Sequence, residues 1–459
     1  MKSAHVTYKE ILGKAKRMDA PVHLSTGNHA RRLIANSPYS IMKVGDASQR
    51  IWHAGRWRRV YVSNPDHGIT LLGSSAILKE NLENEKLVSL KYTDDLEDKR
   101  LKAGWILISC SGTIGNCAFS NAQHAEKLAS QDVIRINPNN ILRPGLIYAY
   151  LASRYGYAML TQGTFGSVIQ HIEPQHVESI PIPRFPESFQ KEVDDLIQEA
   201  ARLREEATTH VEEAKRILLY SCPVTFSNSH FKIGHVRSKD INTSLQHRLD
   251  PPALMNDGVA YINGLKENQD MVDLGSTGAK VFRPGIFKRC YVKEGYPYIK
   301  GSDIFNLNPF TRCNYLSRSR TPFVDEMLLH EGQILITCAG SVGNIKMITK
   351  EYEDKGAIGS QDIIRLESDD SLFTKEYLFT YLQLPFVYDY IQSMKYGSVI
   401  ERVEPFHIAS IPVLKPSDEL SASVTALVSH YMHKTYHAFT AEEQAISLVE
   451  QEIERWSRH

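Results

Sequence analysis

The sequence predicts a mixed α/β (α+β) protein made of two tandem homologous domains, each followed by a long amphipathic helix. Three observations carry that prediction. Ordered sequence blocks recur at one offset. Each copy mixes short apolar runs with a helically spaced segment. After each copy the texture changes to apolar residues three and four apart.

The repeat decides every later boundary. Residues 104–115 read GWILISCSGTIG and residues 332–343 read GQILITCAGSVG. SQDVIR at 130–135 faces SQDIIR at 360–365, and FGSVIQHIEP at 165–174 faces YGSVIERVEP at 396–405. SIPIP at 179–183 matches SIPVL at 410–414, and more loosely GRWRRVYV at 55–62 matches GIFKRCYV at 285–292. The offset is roughly 230 residues throughout, too long for a solenoid turn and long enough for a unit with its own core.

Within the first copy, Trp105 to Ile108 is a short apolar run after Gly104 and reads as a buried strand. The glycines of the Ser111 to Gly115 segment permit a tight turn. Val133 to Ile136 reads as a second strand closed by Asn137-Pro138, and Leu146 to Leu160 has helical spacing. Gly166 to Ile169 leads through Glu173-Pro174 to a last strand, Ile180 to Pro183, whose prolines predict an edge or terminal position. Gly332 to Leu414 reproduces this order.

The pattern then becomes helical. Phe189, Val193, Leu196, Ala200, Leu203, Ala207, Val211 and Ala214 form an apolar seam, as do Leu420, Val424, Leu427, Tyr431, Ala438, Ala445, Leu448 and Ile453. Ser417 before Asp418 and Glu419 is suited to cap the second helix. The predicted spans are a domain over 1–186, a helix over 187–222, a domain over 223–416 and a helix over 417–459. Such a stripe must bury itself. The expectation is that the two helices pair as an antiparallel coiled coil through Val193, Leu196, Leu203, Val211, Val424, Leu427, Tyr431 and Leu448. The alternative is that each helix folds back on its own domain.

Composition narrows the class. The 459 residues are 42% hydrophobic and 23% charged, a globular balance. No apolar run approaches the ~20 residues of a membrane helix, and the opening MKSAHV has no apolar signal core, so a cytoplasmic chain is expected. The formal net charge of zero argues against coating nucleic acid non-specifically, but a local basic face suffices for a modular reader. Six cysteines without a CxxC pair fit free thiols and no zinc site.

Catalytic motifs are missing. The sequence contains no GxxxxGK[ST], no HExxH and no GxSxG. Asp250-Pro251-Pro252-Ala253 approaches the Asp-Pro-Pro-aromatic motif of amino-methyltransferases. Alanine cannot stack on a flipped base, and a proline turn is the better reading. His171, His176 and His407 read as packing or surface residues, and Cys110 and Cys338 as small buried apolar residues. Neither catalytic nor metal-ligating residues are expected.

The blocks GWILISCSGTIG, SQDVIRI and FGSVIQHIEPQHVESIPIP, with their second copies, resemble the pattern of specificity subunits of type I restriction–modification systems. The resemblance extends over nearly the whole chain. It implies two target-recognition domains reading the two halves of a split double-stranded DNA site, with the helices as spacers that hold two methyltransferase (modification) subunits. It implies S-adenosylmethionine in those partners, and ATP and Mg in helicase–nuclease restriction subunits where they join. This chain itself would bind no cofactor and serve phage defence through DNA methylation and restriction.

Arg56, Arg58 and Arg59, with Lys288 and Arg289, are basic in both copies and interleaved with Trp57 and Phe287. They are candidate DNA contacts or an ordinary charged strand face. Ser111 and Thr113, and Ser341 in the second copy, offer hydroxyls and turn amides to phosphates, or are simply structural turns. Base readers should lie where the copies differ, in 74–100 and in 302–325, where Arg312, Arg318 and Arg320 could address guanine edges. Two other classes stay open at this point: a stand-alone DNA methyltransferase with degenerate motifs, and a scaffold that does not touch DNA.

Overall fold

The computed structural model describes residues 25–82, 85–162, 171–223 and 250–456, together with Tyr8, Ser238 and Arg248. The opening MKSAHV and residues 165–170 of one repeated block lie outside the described residues. The chain divides into two units, Met1–Glu205 with His437–His459, and Glu206–Tyr436. The division falls inside both long helices, so each unit contains half of each.

In the first unit the apolar runs become strands. These are β1 (Ile41–Lys43), β2 (Ser48–Trp52), β3 (Tyr61–Val62), β4 (Gly68–Leu72), β5 (Leu87–Ser89), β6 (Ile106–Ser109), β7 (Cys117–Phe119), β8 (Leu128–Ala129), β9 (Val133–Pro138) and β10 (Pro181–Pro183). One sheet has the order β2-β9-β6-β7, a second β3-β5-β4-β8, and β1 pairs with β10 alone. The proline-bearing strand is thus an edge, as expected, because proline offers no ladder donor.

Every residue of β6 is buried because both its faces are covered. Ile106, Ile108, Ile134 and Ile136 point into a core with the helices α1 (Thr26–Ala35), α2 (Pro144–Ala152) and α3 (Arg154–Gln162). The alternating partners Leu107 and Val133 point into a second cluster with Leu72, Ile77 and Leu101. Helix α2 is apolar all round, and Leu146 through Leu151 are all buried.

The second unit has the same plan. After the helix α4 (Glu187–Tyr220) comes α5 (Asp257–Asn268). The strands follow: β11 (Met271–Asp273), β12 (Lys280–Phe282), β13 (Tyr291–Val292), β14 (Tyr296–Ile299), β15 (Asn314–Leu316), β16 (Ile334–Thr337), β17 (Ile345–Met347), β18 (Ile358–Gly359), β19 (Ile363–Glu367) and β20 (Pro412–Leu414). Their sheets run β12-β19-β16-β17, β13-β15-β14-β18 and β11-β20, each strand ten places after its counterpart. Even the register repeats: Leu107 faces Arg135 across β6 and β9, and Leu335 faces Arg365 across β16 and β19. Helices α6 (Lys375–Leu382) and α7 (Pro385–Ser393) stand where α2 and α3 do in the first unit.

The last helix, α8 (Asp418–Trp456), starts at Ser417, whose Oγ accepts the Leu420 N–H at 3.2 Å. In the first unit, Val193 and Ile197 of α4 share a core with Ala445, Val449 and Ile453 of α8, and Ala200 packs with Ala438 and Ala441. In the second, Ala207, Val211, Ala214 and Leu218 share a core with Val424, Val428 and Tyr431. There Lys434 pairs with Glu206 at 2.5 Å, and His430 stacks on His210 at 5.2 Å. Numbers rise along one helix as they fall along the other, so the pairing is antiparallel. The helix halves also pack on their own unit's sheet-and-helix core, so both burial modes operate. Leu196, Leu203, Leu427 and Leu448 are accordingly only partly buried at the edges of these clusters.

One buried histidine gives the first unit a pH dependence. His124 is 1% exposed, between Asn121 Oδ1 at 2.8 Å and the Ile77 carbonyl at 3.2 Å. Burial pulls its pKa down to about 4. The folded unit disfavours the proton that the unfolded chain takes up near pH ~6.5, so stability is complete above that pH and falls towards pH ~4. The expected loss is at most about 3 kcal/mol. All four tryptophans, Trp52, Trp57, Trp105 and Trp456, lie in the first unit, so their fluorescence in urea titrations reports it alone. A midpoint that stays constant between pH 6.5 and 5 would contradict the assignment.

Candidate nucleic-acid interface

In both units an irregular segment leads into the edge strand of the second sheet: residues 53–60 before β3 and 283–290 before β13. The burial pattern along the two segments is the same. Ala54 and Pro284 are buried, and Trp57 and Phe287 are half-buried against the clusters that contain Val88 and Leu316. Arg58 and Lys288 are exposed; Arg56 is too, but its counterpart is the apolar Ile286. Arg59 and Arg289 are half-buried. The edge strands also present Tyr61 and Tyr291, each about half exposed, which sequence reading had not singled out.

The half-buried arginines are engaged from within. Arg59 lies 3.8 Å from Asp132 and its Nη2 donates to Gln131 Oε1. Arg289 lies 3.6 Å from Asp362. Both aspartates are the third residue of the repeated SQD block. A second equivalent pair joins His53 to Glu173 at 3.3 Å and Arg283 to Glu404 at 3.0 Å, the glutamates coming from the repeated IEP and VEP triplets. Each segment is therefore anchored by two carboxylates, while Arg58 and Lys288 project outward.

The glycine loops hold their shape by one repeated set of bonds. Ser109 Oγ donates to the Thr113 carbonyl and accepts the Asn116 N–H at 3.2 Å. Thr337 Oγ1 donates to the Ser341 carbonyl and accepts the Asn344 N–H at 3.0 Å. Gly112, Gly115, Gly340 and Gly343 all adopt positive φ, which a Cβ would strain. Thr113 and Ser341 are exposed at the tips. Ser111 differs from its counterpart Ala339: its Oγ donates to Asp132 Oδ1 at 2.8 Å and so joins the first unit's anchor. Turn and presentation coexist here.

The three arginines proposed as base readers in the second unit are all exposed. Arg312 sits at φ +58°, Arg318 lies over the Tyr296 ring at 4.8 Å, and Arg320 follows two residues later.

The arginine that ends SQDVIR and SQDIIR serves the fold. Arg135 and Arg365 are wholly buried. Arg135 donates to the Val133, Ala129 and Lys99 carbonyls at 3.2, 2.5 and 3.3 Å. Arg365 donates to those of Ile363, Gly359 and Met327 at 2.9, 2.9 and 3.5 Å. Each guanidinium ties β9 or β19 to β8 or β18 of the neighbouring sheet. Burial pulls both pKa values down to about 10, which still leaves them charged at neutral pH. A basic residue repeated inside an apolar block was the signal that could have revealed this role.

The remaining candidates fall into place structurally. Burial pushes the Cys110 thiol up to about 12 and the Cys338 thiol up to about 11, beyond nucleophilic use at neutral pH. Burial likewise lowers the pKa of His176, whose Nε2 meets the Met159 carbonyl at 2.8 Å, and of His407, which accepts the Glu404 N–H at 2.9 Å. Pro251-Pro252 begins a single helical turn, and Asp250 is held by Arg248. Among the described residues, no group of three or more His, Cys, Asp or Glu is gathered as for a metal ion, and no helix is long and apolar enough to cross a membrane.

Residues 70–199 and 267–419 match the model of a family described as the type I restriction modification DNA specificity domain. One match falls in each unit. Solved structures similar to the chain include the S subunit of a type I restriction–modification system from M. genitalium, at 13% identity and a TM-score of 0.33 over 92% of this chain and 96% of that one. The HsdS subunit from Thermoanaerobacter tengcongensis is similar at 13% identity and a TM-score of 0.29, over 91% and 97%. Identities and scores at that level carry no weight for this chain, and the family match stands without them. No curated protein matches.

Proposed function

The chain belongs to the type I restriction modification DNA specificity family, as a specificity subunit and not a catalytic one, and from that premise we propose that its units read the two halves of one split double-stranded DNA target. The observation that carries this reading is that the family match occurs twice, once in each unit, on frameworks of identical strand order. In each unit the anchored segment turns basic side chains outward: Arg56 and Arg58 in one, Lys288 in the other. These are suited to phosphates, and the hydroxyls of Thr113 and Ser341 supplement them.

The paired helices would hold two methyltransferase subunits, which bring S-adenosylmethionine. Restriction subunits with ATP and Mg would join the same assembly. This chain would contribute recognition and bind none of these cofactors. Free thiols at all six cysteines accord with a cytoplasmic site of action.

The test is a mobility-shift selection from a random DNA pool, using the full chain with its methyltransferase partner and excess competitor DNA. A split consensus is expected, with affinity falling steeply as salt rises. Failure to enrich any sequence would overturn the reading. Calorimetry with S-adenosylmethionine on the purified chain is expected to show no binding; saturable heat would point instead to a stand-alone methyltransferase.

A further inference from the structure

We propose that the exposed tripeptides Leu90-Lys91-Tyr92 and Arg318-Ser319-Arg320 are equivalent base-reading elements, one for each half-site. The inference rests on the DNA-reading function above and names the side chains that distinguish the halves.

Their equivalence follows from register. Val88 of β5 pairs with both Tyr61 and Ile69, and Leu316 of β15 pairs with both Tyr291 and Tyr296. The next residues, Ser89 and Ser317, donate their N–H groups to the carbonyls of Val60 at 2.8 Å and Cys290 at 3.0 Å. Four residues further on, Thr93 Oγ1 donates to the Ser89 carbonyl and Thr321 Oγ1 to the Ser317 carbonyl, each at 2.6 Å. Ser89, Thr93, Ser317 and Thr321 are all buried, and the three residues between each pair are all exposed. The same two clamps thus fix the same backbone bend in both units.

What the clamps present is different at every position. Leu90 stands where Arg318 does, Lys91 where Ser319 does and Tyr92 where Arg320 does. A frame kept in both copies around wholly changed, outward-facing side chains is the arrangement that two different target sequences require. The chemistry fits too. Arg318 and Arg320 can each address guanine O6 and N7 with a planar fork of donors, whereas Leu90 offers an apolar contact for a thymine methyl and Lys91 a compact ammonium. Leu90 and Tyr92 are 40% and 59% exposed, and Lys91 Nζ lies 5.3 Å from the centre of the Tyr92 ring. The clamp bond from Ser89 to Val60 sets the tripeptide beside the segment bearing Arg58, and that from Ser317 to Cys290 sets its counterpart beside Lys288. Phosphate anchor and base reader are therefore neighbours in both units.

The experiment exchanges the tripeptides in the full chain, assembled with its methyltransferase partner, and reads both half-sites by selection from a random DNA pool. The triple variant L90R/K91S/Y92R is expected to change preference at one to three adjacent base pairs of one half-site, gaining guanine, and to leave the other half-site unchanged. The separate variant R318A/R320A, truncated only at exposed positions, is expected to lose about tenfold or more in affinity through the opposite half-site alone. Unaltered preferences in both variants, with binding retained, would overturn the proposal and leave the specificity function standing. No selection by the unmodified chain would instead overturn the function on which it rests.

Discussion

Replacing Glu442 with alanine is expected to destabilise the first unit by about 3–5 kcal/mol. Glu442 is 3% exposed on α8, where one carboxylate oxygen accepts the Tyr148 hydroxyl of α2 and the other accepts Arg204 Nη2 of α4. One carboxylate thus joins both long helices to the domain core. Burial, and then the charge of Glu442, push the Tyr148 phenol well above its usual range, so it remains a donor at every working pH. Removing the carboxylate strands a guanidinium that water barely reaches, and that uncompensated charge is the main cost. Tryptophan fluorescence in urea should show the shifted midpoint. Pairing E442L with R204L should recover part of the loss, because an apolar pair avoids burying any charge while the buried Tyr148 hydroxyl still lacks its acceptor. A single-variant loss below about 1 kcal/mol would mean that water or a neighbour already screens Arg204.

A comparable effect is expected from R135A and R365A, and it should separate by unit. Each arginine supplies donors to carbonyls of three chain segments. Its loss leaves buried acceptors unsatisfied, at about 1–3 kcal/mol apiece, in addition to a cavity the size of the side chain. Lysine should rescue little, since one ammonium cannot reproduce a planar fork across three carbonyls. R135A should move the tryptophan transition, whereas R365A should leave it in place and raise amide exchange in β16 and β19. Equal responses in both readouts from either variant would refute independent clamping.

These arginines illustrate what sequence patterning conveys and what it does not. The strands around Ile106 and Ile134 were legible because alternate residues fill two cores, and the same logic located β16 and β19. The long helices were legible from three-and-four spacing. Which of the repeated charged residues face outward was not legible, because alternation gives a side without saying what covers it. Arg59 and Arg289 read as surface cations beside Arg58 and Lys288, yet the SQD aspartates engage them. Those aspartates, more than 70 positions downstream, carry no local mark of the pairing. The clamps at Ser89 and Thr93 were equally hidden, since neither residue belongs to a matching sequence block.

The sequence by itself determined the duplication, the mixed α/β class, the presence of two long helices and the kinship with DNA specificity domains. The first three depend on composition and spacing along the chain and the last on the likeness of its repeated blocks to a known family, and a folded structure can only respect them. Tertiary structure alone decided how the charges divide among folding, anchoring and presentation. That division depends on which carbonyls, carboxylates and rings lie within a few ångströms. Such neighbours are brought together by sheet order and helix pairing across hundreds of residues, as Tyr148 and Glu442 are.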